Sequence, residues 1–467
     1  MKFRFTLVVA VLLTPTCHAQ DGIRAGAFAI NINPTKYPIS VNGGMADRLV
    51  NSANDPLHAR CLALDDGTNK LILVVVDSCM LPRELIDAAK AKVKSKLGIP
   101  PECIVVSATH THSAPTSTGV FQSDPDVAYV AFLADKIAEG IERAVARLEP
   151  AKVGWAVGRD STQLFNRRWK TKPGSALLKD PFDKGSDQVR MNPGHQHADL
   201  IANGPVDPEI TVVAAQSRTG RPIALFAAYG LHYVGGNPNL SADYFGAFAE
   251  RVTEMIGSPK DFVAAMANGT SGDVNNVDFA AAPPMKRQPG EQIRIVSESV
   301  ARAVFEAYGK ITYRTDVTLA SAQREIELAV RKPDAKELAR ARAILEEQKG
   351  KKSLIGVAAV YARETVLLAD YPDKVKLNLQ AHRIGDLGLA TIPCEVFTAI
   401  GLEIKKKSPI KTTFTIELAN GYNGYLPTPE EHRLGGYETW RARSSYLEEI
   451  ASVVIVKTAI ELLDRVK

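Results

Sequence analysis

Apolar runs of strand length alternate with amphipathic stretches of helical period along this chain, which predicts an α/β fold, a layered mixed β-sheet flanked by helices. Three observations carry that expectation. Residues 71–76 read as a strand, 83–97 as a helix, 104–108 as a strand and 128–147 as a helix. A second set follows, with strands at 209–215 and 223–228, a helix at 244–256 and a strand at 262–266; no break in composition separates the sets, so both are expected to share one layered domain spanning 20–467. The 467 residues are 45% hydrophobic and 23% charged, an ordinary globular composition that suffices for a large core.

The N-terminus precedes these elements with Lys2 and Arg4, an apolar run at 5–13 and small residues around Ala19. That order is the pattern of a secretory signal peptide over residues 1–19, so a secreted or periplasmic location is expected. Between the two α/β sets, residues 166–208 are rich in Lys, Asp, Gly and Pro with little periodicity, and a long surface loop is expected there. From residue 317 the pattern turns β-like. A charged helix is expected at 334–349, a pair of strands at 376–389, a helix at 396–406 and an amphipathic helix over 444–466.

Charge and cysteine content narrow the function classes. The formal net charge of +5 falls to +3 once Lys2 and Arg4 are removed, and no basic stripe is present, which argues against nucleic-acid binding. The basic groups at 349–352 and 405–407 stand at the ends of helical patterns, where solvent or a helix C-terminus accounts for them. Beyond the N-terminus no apolar stretch reaches the roughly 20 residues of a membrane span. Cys61, Cys79, Cys103 and Cys394 form no C-x-x-C pair and lie in apolar runs, the setting of buried thiols.

The chemistry-bearing residues gather at strand ends. His110 and His112 stand in Ser107-Ala108-Thr109-His110-Thr111-His112-Ser113, directly after the strand at 104–108, and a spacing of two puts both imidazoles on one strand face. Taken alone the pair is as compatible with a polar strand end as with a ligand site. His232 follows the second strand set and is itself followed by Gly235-Gly236; Glu395 follows Pro393-Cys394 and opens a helix, where an acidic residue is also favoured electrostatically. Open α/β sheets assemble their sites at carboxyl strand ends, and imidazole with carboxylate suits zinc.

Several blocks in chain order resemble the neutral (alkaline, non-lysosomal) ceramidases. These are Ser107 to Ser113, His232 with the later Ser241-Ala242-Asp243, Glu395-Val396-Phe397-Thr398, and the Tyr422 to Glu431 segment reading YNGYLPTPEE. The resemblance covers about residues 22–465. It implies a ceramidase-like catalytic domain without the C-terminal immunoglobulin-like domain, with Zn2+ bound by His110, His232, Glu395 and Tyr425 and with His112 beside the reacting centre. It further places Tyr437 as a second pocket tyrosine and Arg167, in Asn166-Arg167, on the substrate side.

One departure stands out: Gly272-Asp273-Val274 matches the family's wording, but the next position, where the family carries its active-site serine, is Asn275. A carboxamide can donate to a developing oxyanion but cannot act as a nucleophile. The expected mechanism is therefore attack on a carbonyl carbon by water activated on zinc, with His112 or Asp273 handling protons and Arg167, Tyr437 or Asn275 orienting the substrate. Amide hydrolysis of an N-acyl lipid such as ceramide leads. The same site acting on a carbohydrate-derived ester, amide or glycoside is the alternative, and a non-catalytic periplasmic binding protein is the reading from another class. The partner is a small-molecule or lipid substrate, and the sequence leaves the oligomeric state open.

Overall fold

The computed structural model describes residues 22–195, 197–283 and 287–467. The signal peptide expected over residues 1–19 lies outside them. The dominant element is an eight-stranded mixed sheet whose spatial order is Val263–Asn268, Pro222–Tyr229, Glu209–Ser217, Glu149–Arg159, Arg24–Asn31, His58–Asp65, Lys70–Val76, Ile104–Ala108. A second sheet of four strands orders as Leu319–Ala329, Lys374–Ile384, Leu387–Thr391, Thr412–Ile416.

Alternation along the strands explains why these layers stack. In Lys70–Val76, Leu71, Leu73 and Val75 point to a core shared with Leu319, Ile384, Leu389 and Phe414 of the smaller sheet, while Ile72, Val74 and Val76 point the other way, onto helices. Those helices are α1 (Arg83–Leu97) and α2 (Val127–Ala146) over one half of the large sheet and α3 (Asp243–Ile256) with α4 (Glu291–Tyr308) over the other. The outer face of the smaller sheet is covered by α7 (Thr398–Lys407) and α9 (Ala451–Val466) through Ile400, Ile404, Ile455 and Leu462. The result is four layers, helices on sheet on sheet on helices. Each fully buried Leu, Ile or Val contributes about 1.5–3 kcal/mol of transfer free energy, so the strand alternation is the main force specifying the stack.

A hairpin of α5 (Ala335–Glu347) and α6 (Val357–Ala369) lies beside the carboxyl ends of the strands. From it Val360 and Tyr361 pack with Phe121, Met80 and Trp440. The short α8 (Pro429–Leu434) starts on Thr428, whose hydroxyl accepts the Glu431 amide.

Two expectations are corrected. Residues 166–208 are not a structureless loop: Arg168–Thr171, Val189–Met191 and Leu200–Ala202 pair into a three-stranded sheet, and Phe165–Asn166 pairs with Val274–Asn275. Strands of two to four residues are too short to show a period. The last helix begins at Ala451 rather than 444, because Ser445 is held in bridges to Gly424 and Ala442. The four cysteines after Cys17 are free thiols, three of them buried and Cys103 half-buried. Among the described residues no helix is long and apolar enough to cross a membrane.

Candidate metal centre

Three pairs of parallel strands end at one edge of the stack: Lys70–Val76 with Ile104–Ala108, Pro222–Tyr229 with Val263–Asn268, and Leu387–Thr391 with Thr412–Ile416. Cys79, His110, His232, Ser271, Glu395 and Glu417 each lie within a few residues of one of those carboxyl ends. The two sheets are laced together there by Ala108 N donating to Leu418 O (3.1 Å) and Glu417 N donating to Asn268 O (3.1 Å).

His110 and His112 converge, but not through strand alternation. The strand stops at Ala108, and His110 has a left-handed backbone, φ 68°, held by its amide donating to Ser78 O at 2.9 Å. A non-glycine residue in this region costs on the order of 1–3 kcal/mol and is retained where surrounding structure imposes it. The turn brings His110 Nε2 and His112 Nε2 to 3.1 Å, with the rings edge to face. His112 stacks on Tyr233, ring centroids 3.5 Å apart and planes 16° apart.

Each ligand candidate is aimed by a partner on its far side. His110 Nδ1 lies 2.8 Å from Cys79 O and His232 Nδ1 lies 3.1 Å from Ser271 O. A carbonyl accepts only from N–H, so each ring carries a proton on Nδ1 and turns Nε2 inward. Glu395 Oε1 accepts from Tyr422 OH at 3.0 Å, which fixes the carboxylate plane and presents Oε2 to the cluster. Glu395–Val396 pairs in parallel with Tyr425–Leu426, so Glu395 and Tyr425 are lateral neighbours. Arg167 braces the phenol from behind, with Nη2 donating to Tyr425 OH (3.1 Å) and to Gly272 O (2.9 Å) and Nε donating to Glu438 (3.1 Å).

The electrostatics match a site built for a cation. Donor atoms of His110, His232 and Glu395 all lie within 4.8 Å of one another, and all three residues are buried. His232 Nε2 and Glu395 Oε2 have no hydrogen-bond partner, although orphaned buried polar atoms are costly. His110 Nε2 approaches Glu395 Oε2 at 3.2 Å without hydrogen-bond alignment. Two ligands facing one ion stand this way. Burial, then the charges of Arg167 and His110, holds His232 well below the ordinary imidazole range. His112 is likewise held low by burial and by His110. Burial opposes charge on His110 too, but Glu395 outweighs it and raises its proton affinity. Burial also opposes the Glu395 charge, and His110 overcomes it, leaving the carboxyl below its usual range. Two imidazole nitrogens, a carboxylate oxygen and a phenol fit a metal ion: His110, His232, Glu395 and Tyr425 would hold it.

The cluster opens into a narrow cleft of about 30 Å³ bordered by Gly43, Met80, Val120, Phe121 and Tyr437. A second groove of about 390 Å³ shares Tyr437 and is lined by Met45, Leu178, Val189, Met191 and Trp440. His112 and Tyr437 thus face the cleft, and Arg167 stands behind Tyr425. The side chains of the other two predicted residues are engaged by scaffold partners. Asp273 Oδ1 accepts from the Thr398 amide and hydroxyl, both at 2.8 Å, and Oδ2 accepts from Asn166 at 3.0 Å, so its carboxylate anchors the start of α7. Asn275 Nδ2 donates to Asn192 at 2.8 Å and its Oδ1 accepts from Val277 N at 2.9 Å, which occupies the amide expected to face an oxyanion.

Sequence reasoning missed Cys79, Tyr422 and Tyr233. Tyr422 carried a signal, being the first tyrosine of the Tyr-x-x-Tyr segment. Cys79 had only its place past a strand end, and Tyr233 only its adjacency to His232.

Fold and cluster together define a layered α/β protein whose strand ends hold a buried metal-binding candidate of two histidines, a glutamate and a tyrosine. No family model matches the chain. Neutral ceramidase A of Dictyostelium discoideum is 23% identical over 235 residues, which are 45% of this chain and 30% of that protein, so the match spans less than a third of the curated relative's length. The crystal structure of neutral ceramidase from Pseudomonas aeruginosa superposes with a TM-score of 0.72 at 18% identity, covering 95% of this chain and 75% of that one. A structure of a ceramidase complexed with C2 gives 0.70 at 17% identity and the same coverage. The chain is similar in sequence to a neutral ceramidase over part of its length, and it has the fold of the neutral ceramidases.

Proposed function

We propose that this chain is a zinc-dependent hydrolase that cleaves the amide bond of an N-acyl lipid such as ceramide. The observation that carries the reading is the buried convergence of His110, His232 and Glu395 with two inward-facing atoms, His232 Nε2 and Glu395 Oε2, left without partners. The names of the similar proteins supply the substrate class. Bound zinc would polarise the scissile carbonyl and lower the pKa of water in the cleft.

The chain's own residues supply the rest. His112 is neutral and sits beside the cluster, so its Nε2 can accept a proton from water and return it to the departing amine. Arg167 keeps Tyr425 in place, and Tyr437 offers a hydroxyl where the cleft meets the apolar groove. Met45, Leu178, Val189 and Met191 give an acyl chain an apolar bed. Hydrolysis in this scheme needs no side-chain nucleophile at Asn275. Export to the periplasm or beyond belongs to the same proposal, on the strength of the N-terminal pattern, and sequencing the N-terminus of protein recovered from outside the cytoplasm tests it.

The deciding experiment is a hydrolysis screen against N-acyl sphingoid bases, N-acyl amino acids and acylated sugars, with and without chelator. Chelator-sensitive release of fatty acid from N-acyl sphingoid bases is expected. Turnover that survives complete metal removal sinks the metal reading, and turnover confined to acylated sugars sinks the lipid one.

A further inference from the structure

Glu417 is fully buried at the end of the strand Thr412–Ile416 and has no part in the chemistry above. Its carboxyl touches two segments at once. Oε1 meets the Ser271 hydroxyl, and Oε2 accepts from the Val396 amide at 2.6 Å. Each contact is one step from a ligand candidate. The carbonyl of Ser271 receives the His232 Nδ1 proton at 3.1 Å, and Val396 follows Glu395 directly. The two segments also touch: Gly272 N donates to Val396 O at 2.8 Å, and a Cβ at Gly272 would fall 2.7 Å from Glu395 O.

We infer that Glu417 is a positioning residue, a buried clasp between Ser271 and Val396 that sets the spacing of His232 and Glu395 for a metal ion. The inference rests on the metal-centre reading. A ligand ring is only as well placed as the group that receives its far-side proton, and here that group, the Ser271 carbonyl, is held by a side chain that also holds the Glu395 segment. In this geometry the carboxyl accepts at both oxygens, from the Val396 amide at Oε2 and from the Ser271 hydroxyl at Oε1. Burial pushes Glu417 up to about 8, so it adds no second negative charge beside Glu395 at neutral pH. A carboxamide has the same shape, keeps the acceptor for Val396 N, and can donate its NH2 to Ser271 Oγ once that hydroxyl turns.

The test uses the full chain loaded with Zn2+ or Co2+, reading affinity by chelator competition, the visible spectrum of the Co2+ form, and melting temperature. Glu417→Gln is expected to keep the wild-type affinity and spectrum. Glu417→Ala is expected to lose about 10- to 100-fold in affinity, the usual cost of removing a ligand's supporting partner, and to change the Co2+ spectrum. Ser271→Ala removes one arm only and should move both readouts in the same direction; it carries the test if Glu417→Ala does not fold. Wild-type affinity and spectrum in the alanine variants overturn the clasp while leaving the metal centre standing. Glu417→Gln falling as far as Glu417→Ala overturns it as well. Wild-type protein that takes up neither ion overturns the metal reading and the clasp together.

Discussion

The His110 cluster and the Asp273–Asn275 turn are both buried and polar, and both come from blocks that resemble one family, yet their hydrogen bonding differs. In the turn every side-chain oxygen and amide has a protein partner: Asp273 holds Thr398 and Asn166, and Asn275 holds Asn192 and Val277. In the cluster the outward atoms are satisfied by Cys79, Ser271 and Tyr422, while inward atoms of His232 and Glu395 are not. Since leaving a buried polar group unpaired costs about 1–3 kcal/mol, the first arrangement is a finished scaffold, whereas the second keeps ligand atoms free for a further partner. The difference separates a ligand site from its support where residue type alone does not.

The comparison breaks most easily at His110. His110→Ala should lower zinc affinity by more than about 100-fold, beyond what loss of a supporting partner does, and elemental analysis after dialysis should find the variant empty. Tyr422→Phe removes the hydroxyl that orients Glu395 and should cost about 10- to 100-fold in affinity with an unchanged melting temperature, measured by chelator competition and calorimetry. The proton on His110, held above the ordinary imidazole range, must leave before Nε2 can bind metal. Zinc affinity should therefore rise with pH from the ordinary imidazole range upward, by about tenfold per unit for each proton released, and fall as pH drops; a flat titration between pH 6 and 8 would sink this coupling.

The turn should respond in stability rather than in metal affinity. Asp273→Ala leaves the Thr398 amide and hydroxyl without their acceptor and should cost about 1–3 kcal/mol in urea unfolding, with metal affinity close to wild type. The smallest effect is expected at Asn275. Because its amide is engaged by Asn192, Asn275→Ser should change zinc affinity less than about threefold and stability by about 1 kcal/mol. A large gain in ceramide hydrolysis in that variant would show that position 275 reaches the substrate after all, and would erase the distinction between the two regions.

Much of this was readable along the chain. The strands at 71–76, 104–108 and 223–228 announced themselves through runs of Val, Ile, Leu and Ala, because strands buried on both faces carry apolar side chains at every position. The short pairings inside 166–208 did not, because two to four residues show no period. Ligand candidates were legible as residue types at strand ends, and the blocks shared with ceramidases supplied their grouping. What supports them was only partly legible, since Arg167 and Tyr425 meet across 258 positions and Ser271 and Glu417 across 146.

By itself the sequence determined the layered α/β class and the chemistry available at the strand ends. Those follow from side-chain identity and local periodicity, which are properties of neighbours along the chain. Tertiary structure decided that His110 reaches the cluster through a left-handed turn, that Asn275 points its amide at Asn192, and that Glu417 joins the His232 and Glu395 sides. Such outcomes depend on how two sheets pack at their strand ends, a long-range arrangement that no local pattern encodes.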